Sequence, residues 1–306
     1  MHKIQYLKHS EIDSVKCDSC IDKSYNGLIY PYSFFLNSMA GNRWDALVQG
    51  DYEAVFPLVW GKNFGFKFLY QPYFCQQLGL FSKTKISEKI IQEFISKIPS
   101  KYRYWNFHLN YENKYFSPAI RFINRSSYCI NLNQDYAEIY DLYNSDAKKN
   151  LAKSVQIGFE YKKDIPIETV SKCFFEAYGK FYSNVDRLQN QIETCARIAI
   201  QNKKGFTRGI YSEDGELWCA AFFFFSHKRI HYAMAAPTEL GKTNSATHMI
   251  IDEVLKEFSK QDLVFDFEGS DIKSVAYFYS KFGSVASNYL QIIHNKLPWW
   301  CRFLKD

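Results

Sequence analysis

Residues 206–237 read FTRGIYSEDGELWCAAFFFFSHKRIHYAMAAP, and residues 44–72 read WDALVQGDYEAVFPLVWGKNFGFKFLYQP. In each stretch, three runs rich in aromatic and branched residues are separated by turn signals. The later runs are Phe206–Tyr211, Glu216–Ser226 and Arg229–Ala236, punctuated by Glu213-Asp214-Gly215 and His227-Lys228. The earlier runs are Trp44–Val48, Tyr52–Trp60 and Phe64–Gln71, punctuated by Gln49-Gly50-Asp51 and Gly61-Lys62-Asn63. Each stretch reads as a three-strand antiparallel meander. Each closes on a proline, Pro72 or Pro237, which has no N–H to give to a ladder.

The same order continues outward. A glycine-bearing loop follows each proline, with Gly79 or Gly241. An amphipathic helix comes next. In the first copy it is Ile86–Ile98, with Ile86, Ile90, Phe94 and Ile98 on one stripe. In the second it is Ser245–Phe258, with Met249 or Ile250, Val254 and Phe258 on one stripe. A short strand then ends on polar residues, Tyr102–His108 against Leu263–Phe267, which pairs Asn106 with Asp266. Equivalent elements lie roughly 160 residues apart throughout, which marks a duplicated α/β unit. The expected domains are 1–135 and 136–306, each a mixed, mostly antiparallel sheet flanked by helices. The second includes a helical connection, 136–201. There, a long helix is expected over Tyr136–Val155, stopping at Gly158. Two more are expected over Ile165–Tyr182 and Asp186–Gln201, the latter capped by Asn184.

Composition narrows the function classes. The chain has 306 residues, 47% of them apolar and 18% aromatic, which is too hydrophobic for a disordered chain. The longest apolar run, Leu217–Phe225, is far shorter than the ~20 residues a membrane-spanning helix needs. The N-terminal sequence carries no secretory pattern. Eight scattered cysteines do not form a disulfide framework, so a reduced, cytoplasmic protein is expected. Cys17-Asp18-Ser19-Cys20 lacks a second ligand pair for zinc, and no helix start of a thioredoxin-like unit accompanies it. His227, His231 and His248 show no metal-ligand spacing. No Gly-x-Ser-x-Gly, P-loop or Rossmann fingerprint occurs, which argues against serine hydrolases, NTPases and dehydrogenases. The net charge of +6 is concentrated in residues 1–135, with 16 basic and 11 acidic residues there. That surplus permits an anionic ligand such as a nucleotide, a coenzyme or tRNA, and gives no ground for DNA.

A meander, a glycine-bearing loop, a helix and a further strand make up the core of the GNAT acyltransferases. Two such units in tandem resemble the FemABX group. Three stretches carry the resemblance: Ala147–Gly158, Asp266-Phe267-Glu268-Gly269-Ser270, and Val275–Gly283. The coenzyme-loop region departs from the usual GNAT form, reading Glu239-Leu240-Gly241-Lys242-Thr243-Asn244-Ser245. The long coiled-coil insertion of some group members is absent. The resemblance implies two GNAT-like domains and transfer of an acyl or aminoacyl group to a small-molecule amine. The donor would be an acyl-CoA or an aminoacyl-tRNA, with no tightly bound cofactor. The alternative is a duplicated scaffold without chemistry that holds a small ligand or a protein partner.

Site residues follow from this frame. Gly241, Lys242, Thr243, Asn244 and Ser245 stand where a coenzyme pyrophosphate would meet a helix N-terminus. Thr243, Asn244 or Ser245 serves equally well as a plain helix cap. Asp266 and Glu268 lie two apart on a strand, placed to orient or deprotonate an amine. The structural reading of Asp266 is a cap for a helix near Ile272, or a lysine pair. Tyr232, mid-strand, is the candidate acid toward a leaving group, and backbone N–H groups of the second meander are candidates for the oxyanion. Lys149, Asn150 and Lys153 share one helix face opposite Ala147, Leu151 and Val155. They form either a phosphate-facing stripe or an ordinary solvated face. Tyr70 and Gln71 are the matching acceptor-side residues of the first meander. The terminal Leu297–Leu304 segment is rich in aromatics and is expected to fold back over a core.

Overall fold

A computed structural model describes residues 3–269 and 272–304; Met1, His2 and Ser270 of the Asp266–Ser270 motif lie outside the described residues. In chain order the elements are β1 (Ile4–Leu7), α1 (Ser14–Asp22), α2 (Ser33–Ala40), β2 (Trp44–Gln49), β3 (Ala54–Asn63), β4 (Phe66–Tyr70), β5 (Phe81–Ser82), α3 (Glu88–Ser96) and β6 (Tyr102–His108). They continue with β7 (Arg121–Asn131), α4 (Tyr136–Asp141), α5 (Ser145–Ile157), β8 (Glu160–Lys163), α6 (Ile167–Tyr178), α7 (Val185–Gln201), β9 (Gly205–Tyr211) and β10 (Leu217–Ser226). The last are β11 (Arg229–Pro237), α8 (Glu239–Thr243), α9 (Ala246–Glu257), β12 (Val264–Asp266), α10 (Lys273–Ser280) and β13 (Val285–Asn295).

The chain forms two compact units, residues 1–126 with 288–306, and residues 127–287. The sequence reading divides the chain once, at 135/136, whereas the backbone passes between these units twice. Within the first unit the strands run β1-β2-β3-β4-β6-β13, and within the second β8-β9-β10-β11-β12-β7. In both, the first four strands are antiparallel neighbours. The fourth and fifth are parallel. The sixth is antiparallel to the fifth. The duplication therefore includes an exchange of sixth strands. The chain's last strand, β13, completes the first unit, and β7, which follows β6 in sequence, completes the second.

Register makes the duplication exact to the residue. Tyr6 pairs with Leu47 and Tyr161 with Ile210. Asp45 pairs with Leu58 and Arg208 with Ala221. Trp60 pairs with Leu69 and Phe223 with Tyr232. By the same register Asp266 matches Tyr104, two residues before the Asn106 that the sequence pairs it with. Both hairpins turn on left-handed residue pairs, Phe64-Gly65 and His227-Lys228, which match strand twist. The break expected at Gly61–Asn63 is strand instead. Gly61 lies under the Phe68 ring, where a Cβ would approach to 2.5 Å, so this glycine serves cross-strand packing.

Helix boundaries also differ from the periodicity. The expected 136–155 helix is two, because the Asn144 side chain accepts the Ala147 N–H at 2.9 Å and starts α5 afresh. The buried line of α5 is Ala147, Leu151 and Ser154, and Val155 is exposed. In α3 the buried residues are Ile91, Phe94 and Ile95, since the helix starts only at Glu88, behind the Ser87 cap. Asn184 precedes α7 in a left-handed conformation and its side chain makes no cap bond. Cys17 and Cys20 are packed inside α1, where burial pushes both thiols up. Among the described residues no His/Cys/Asp/Glu group suits a metal, and no helix is long and apolar enough to cross a membrane.

Candidate active site

The two units diverge where the fourth and fifth strands run parallel. In the first, β4 pairs with β6 through Leu69 and Tyr70. Gln71 then closes the seam: its Oε1 accepts the His108 N–H at 3.0 Å and its Nε2 donates to the Cys75 carbonyl at 2.8 Å. In the second unit, pairing ends at His231 with Asp266, while β11 runs on to Pro237. Asp266 Oδ1 accepts the Glu268 N–H at 2.8 Å, and Glu268 and Gly269 both take left-handed backbone, which turns the chain off the strand axis. On the opposite side of β11, the register slips between Phe222 and Phe223, leaving Ala233 as a bulge residue.

A cleft of about 720 Å³ opens there. Its floor is β11 from Tyr232 to Pro237. One wall is α6 and the turn after it, with Phe174, Tyr178 and Tyr182; another is α10, with Val275, Phe278 and Tyr279. Its mouth carries Gly241, Lys242, Ser245, Thr247 and His248. Gly241 is required by packing, because a Cβ would stand 1.8 Å from the Trp218 carbonyl oxygen. The helix α9 begins after Ser245, which is left-handed and makes no side-chain cap bond. The Ala246 and Thr247 N–H groups have no acceptor among the described residues, so the positive end of α9 is uncapped beside the mouth.

The electrostatics are those of a neutral, donor-rich slot with one cation. Burial, then the neighbouring Cys219 and Tyr279, pushes the Tyr232 phenol well up. Burial also raises Tyr279 and Tyr178. Burial against Phe278 and Phe282, reinforced by the Lys281 cation, lowers His248 to about 4, so its ring is neutral at pH 7. Buried His248 Nε2 has no hydrogen-bond partner among the described residues. Lys242 pairs with Glu239 at 2.5 Å, which raises its pKa and keeps it charged.

The structure brings together Tyr232, Gly241, Lys242 and Ser245 of the sequence candidates. Thr243 and Asn244 lie behind the mouth. The expected coenzyme loop is the short helix α8, and Thr243 Oγ1 bonds back to Glu239 O within it. The Asn244 carbonyl accepts from Ser154 Oγ at 3.1 Å. Asn150 reaches the rim through its Oδ1, which accepts from Ser245 Oγ at 3.2 Å, while Lys149 and Lys153 are exposed and do not line the cleft. Asp266 is buried, and three donors meet its carboxylate. Ser127 Oγ bonds its Oδ1, and Arg229 donates to its Oδ2 at 2.8 Å. It neither caps α10 nor pairs with a lysine; its bonds tie the end of β12 to Ser127, Arg229 and the Glu268 N–H. Glu268 does not share a strand face with Asp266, since its backbone is left-handed, and its Oε1 lies 3.3 Å from His231 Nδ1. Tyr70 and Gln71 belong to the closed seam of the first unit. Sequence reasoning missed Tyr178, Tyr182 and Tyr279. The aromatic stripe Phe174, Tyr178, Tyr182 at i, i+4, i+8 was the available signal.

Solved structures with this arrangement cover both units. FemX superposes with a TM-score of 0.66 at 9% identity, over 94% of this chain and 96% of that one. The chain has the tandem FemX fold. L-PGS from Bacillus licheniformis follows with a TM-score of 0.53 at 13% identity, over 94% of this chain and 93% of that one. The C-terminal domain of a putative lysylphosphatidylglycerol synthetase from Agrobacterium fabrum gives 0.56 at 9% identity, over 97% and 95%. No family model and no curated protein matches the chain. The FemX-like fold accounts for the paired meanders and for the parallel seam in each unit.

Proposed function

We propose that this chain transfers an acyl or aminoacyl group from an activated carrier to a small-molecule amine, in the cleft of residues 127–287. The observation that carries this reading is the one-sided splay: β11 outruns β12 and bulges at Ala233 beside a roomy aromatic slot. A thioester or aminoacyl ester already has a competent leaving group, so most of the catalysis is alignment and charge placement. The carrier's phosphates lie against Lys242 and the uncapped start of α9. The acyl carbonyl lies along β11, with the Ala233 bulge offering backbone N–H to the oxyanion. The amine attacks the carbonyl carbon, the carbon–sulfur or carbon–oxygen bond breaks, and the departing atom takes the Tyr232 phenolic proton. The ammonium nitrogen of the collapsed product then returns a proton to that phenolate. A phenol raised by burial is protonated in the resting site. The FemX and synthetase likenesses support this class of reaction through fold only.

Calorimetric titration with CoA and a series of acyl-CoAs tests the donor. Micromolar binding that strengthens with acyl length assigns a thioester donor. Absence of binding turns the test to aminoacyl-tRNA. Failure of both donors leaves the alternative, a scaffold whose cleft holds a ligand without chemistry.

A further inference from the structure

Three stretches of the first unit contain no acidic residue at all: 54–87, 94–111 and 289–305. They supply β3, β4, β6 and the C-terminal turn, and between them they carry Lys62, Lys67, Lys101, Arg103, Lys296 and Arg302. At one end of this sheet the β3–β4 hairpin meets the C-terminal turn, where the Phe66 ring packs on Trp300 with centroids 6.3 Å apart. Lys62 pairs across the hairpin with Lys67, and Lys296 donates its N–H to the Arg103 carbonyl at 2.8 Å, so the cations flank the same edge. Leu297 tucks inward with Tyr104, as a folded-back terminus should. The tryptophans that follow do not: Trp299 is 84% exposed and Trp300 57%.

The hairpin tip adds an independent oddity. Phe64 is 77% exposed and sits at φ 45° as the first residue of its two-residue turn. That position favours Asn, Asp or Gly, and a bulky aromatic there is disfavoured. Neither turn chemistry nor core packing accounts for a phenylalanine at this place.

We infer that this edge of the first unit docks on an anionic lipid surface. Trp299, Trp300 and Phe64 would enter the interface, while Lys62, Lys67, Lys296 and Arg302 would meet the head groups. Charge decides the occupant. A predominantly basic surround repels a second copy of itself and suits a uniformly negative surface. Exposed aromatics rimmed by Lys and Arg are the composition of interfacial anchors.

Sedimentation of the full chain with phosphatidylcholine vesicles, with and without 30% phosphatidylglycerol, tests this. Expected is binding to the phosphatidylglycerol vesicles, at least about tenfold weaker on pure phosphatidylcholine and about tenfold weaker in 0.5 M salt. Phe64→Asn suits the turn better, so the variant keeps its fold, and it should weaken partitioning about tenfold. Trp299→Ser should do the same without touching the hairpin. Intrinsic tryptophan emission of the wild type should shift to the blue on binding, and Trp299→Ser should lose most of that shift. Absence of binding overturns the proposal, as does equal binding to both vesicles or a Phe64→Asn variant that partitions like wild type. Concentration-dependent dimerisation that Phe64→Asn abolishes would assign the edge to self-association instead.

Discussion

Asp45 in the first unit and Arg208 in the second occupy one register position, and each is the hub of a buried polar cluster. The tyrosine on the neighbouring edge strand is retained: Tyr6 donates to Asp45, and Tyr161 accepts from Arg208 Nε at 2.9 Å. Around these constants the charge is inverted. Asp45 collects Tyr102 OH at 2.5 Å, the His9 N–H at 3.0 Å and the Lys101 ammonium at 3.8 Å. Arg208 grips Glu257 on α9 with two bonds of 2.7 and 2.9 Å. A buried hub is tolerated in either sign when every hydrogen-bonding position around it is filled. The sites differ in a second way. The pocket lined by Leu69, Tyr70 and Phe107 in the first unit is too small for a water molecule. Around Tyr232, the register equivalent of Leu69, the second unit opens its cleft. The same topology thus yields a sealed seam or a site, depending on whether the fifth strand stays paired.

The hub comparison breaks most sharply at Arg208. Arg208→Met leaves the half-buried Glu257 carboxylate to Lys163 and Tyr161 and should cost about 1.5–3 kcal/mol in urea unfolding, whereas removing both charges with Arg208→Met/Glu257→Met should recover most of it. Asp45→Asn should cost less, since its amide oxygen still accepts the His9 N–H and its NH2 donates to the Tyr6 and Tyr102 hydroxyl oxygens. Acid adds a sign. Arg208, then Lys163 and Tyr161, hold the Glu257 carboxyl at about 2, well below its ordinary value. Its stabilisation is therefore complete above about pH 4.5 and fades as pH falls toward 2. In Arg208→Met that acid-side loss should be much shallower.

The cleft comparison is tested by giving the second unit the residue of the first. Tyr232→Leu should fold, because Leu69 fills that register position in the other sheet, and transfer should fall by about 100-fold or more. Tyr232→Phe separates the hydroxyl from the ring, and kcat should fall equally in both if the phenol is the acid. Turnover near wild type in Tyr232→Phe would remove the acid and leave a packing residue.

Much of this was legible in sequence, and the misses share a cause. Strand periodicity and turn residues fix the meanders locally, so the later hairpin and the duplication could be read, while the earlier hairpin turns just beyond the expected Gly61–Asn63 break, at Phe64-Gly65. The exchange of β7 and β13 is a long-range pairing with no local signature. The role of Asp266 was hidden for the same reason. Its partners Ser127 and Arg229 lie far off in sequence, so their bonds to it leave no local signature. Gly241 stands at the mouth of the cleft, where the Trp218 carbonyl explains its lack of a side chain. The aromatic walls needed α6 and α10 to be set around one strand.

A smaller effect separates the cleft from the seam by pH. His248 lowered to about 4 means that the unfolded chain binds its proton more readily than the folded one. Stability should therefore fall as pH drops from about 6.5 to 4, by on the order of 1 kcal/mol once partial exposure is allowed for. His248→Phe, flanked by Phe278 and Phe282, should flatten the curve over that interval and leave the Glu257 loss at lower pH intact. A slope that persists in the variant would move its origin away from the cleft mouth.

The smallest expected change concerns Lys149 and Lys153. The basic surplus of the chain lies almost wholly in residues 1–135, and these two lysines are the cations of the second half that the FemABX-like stretch singles out. Both are exposed on α5, whose inward face instead holds the mouth in place through Asn150 and Ser154. Replacing both with alanine should alter unfolding stability by less than about 0.5 kcal/mol, because no packing or buried bond is lost. Binding of a CoA donor should change equally little, as its phosphates would meet Lys242 and α9. A tRNA donor reaches further across the surface, and losing two phosphate contacts should lower its salt slope by about 1.5. The double variant therefore reads out the size of the carrier. An unchanged salt slope confines the anionic donor to the mouth, and a reduced one extends its track along α5.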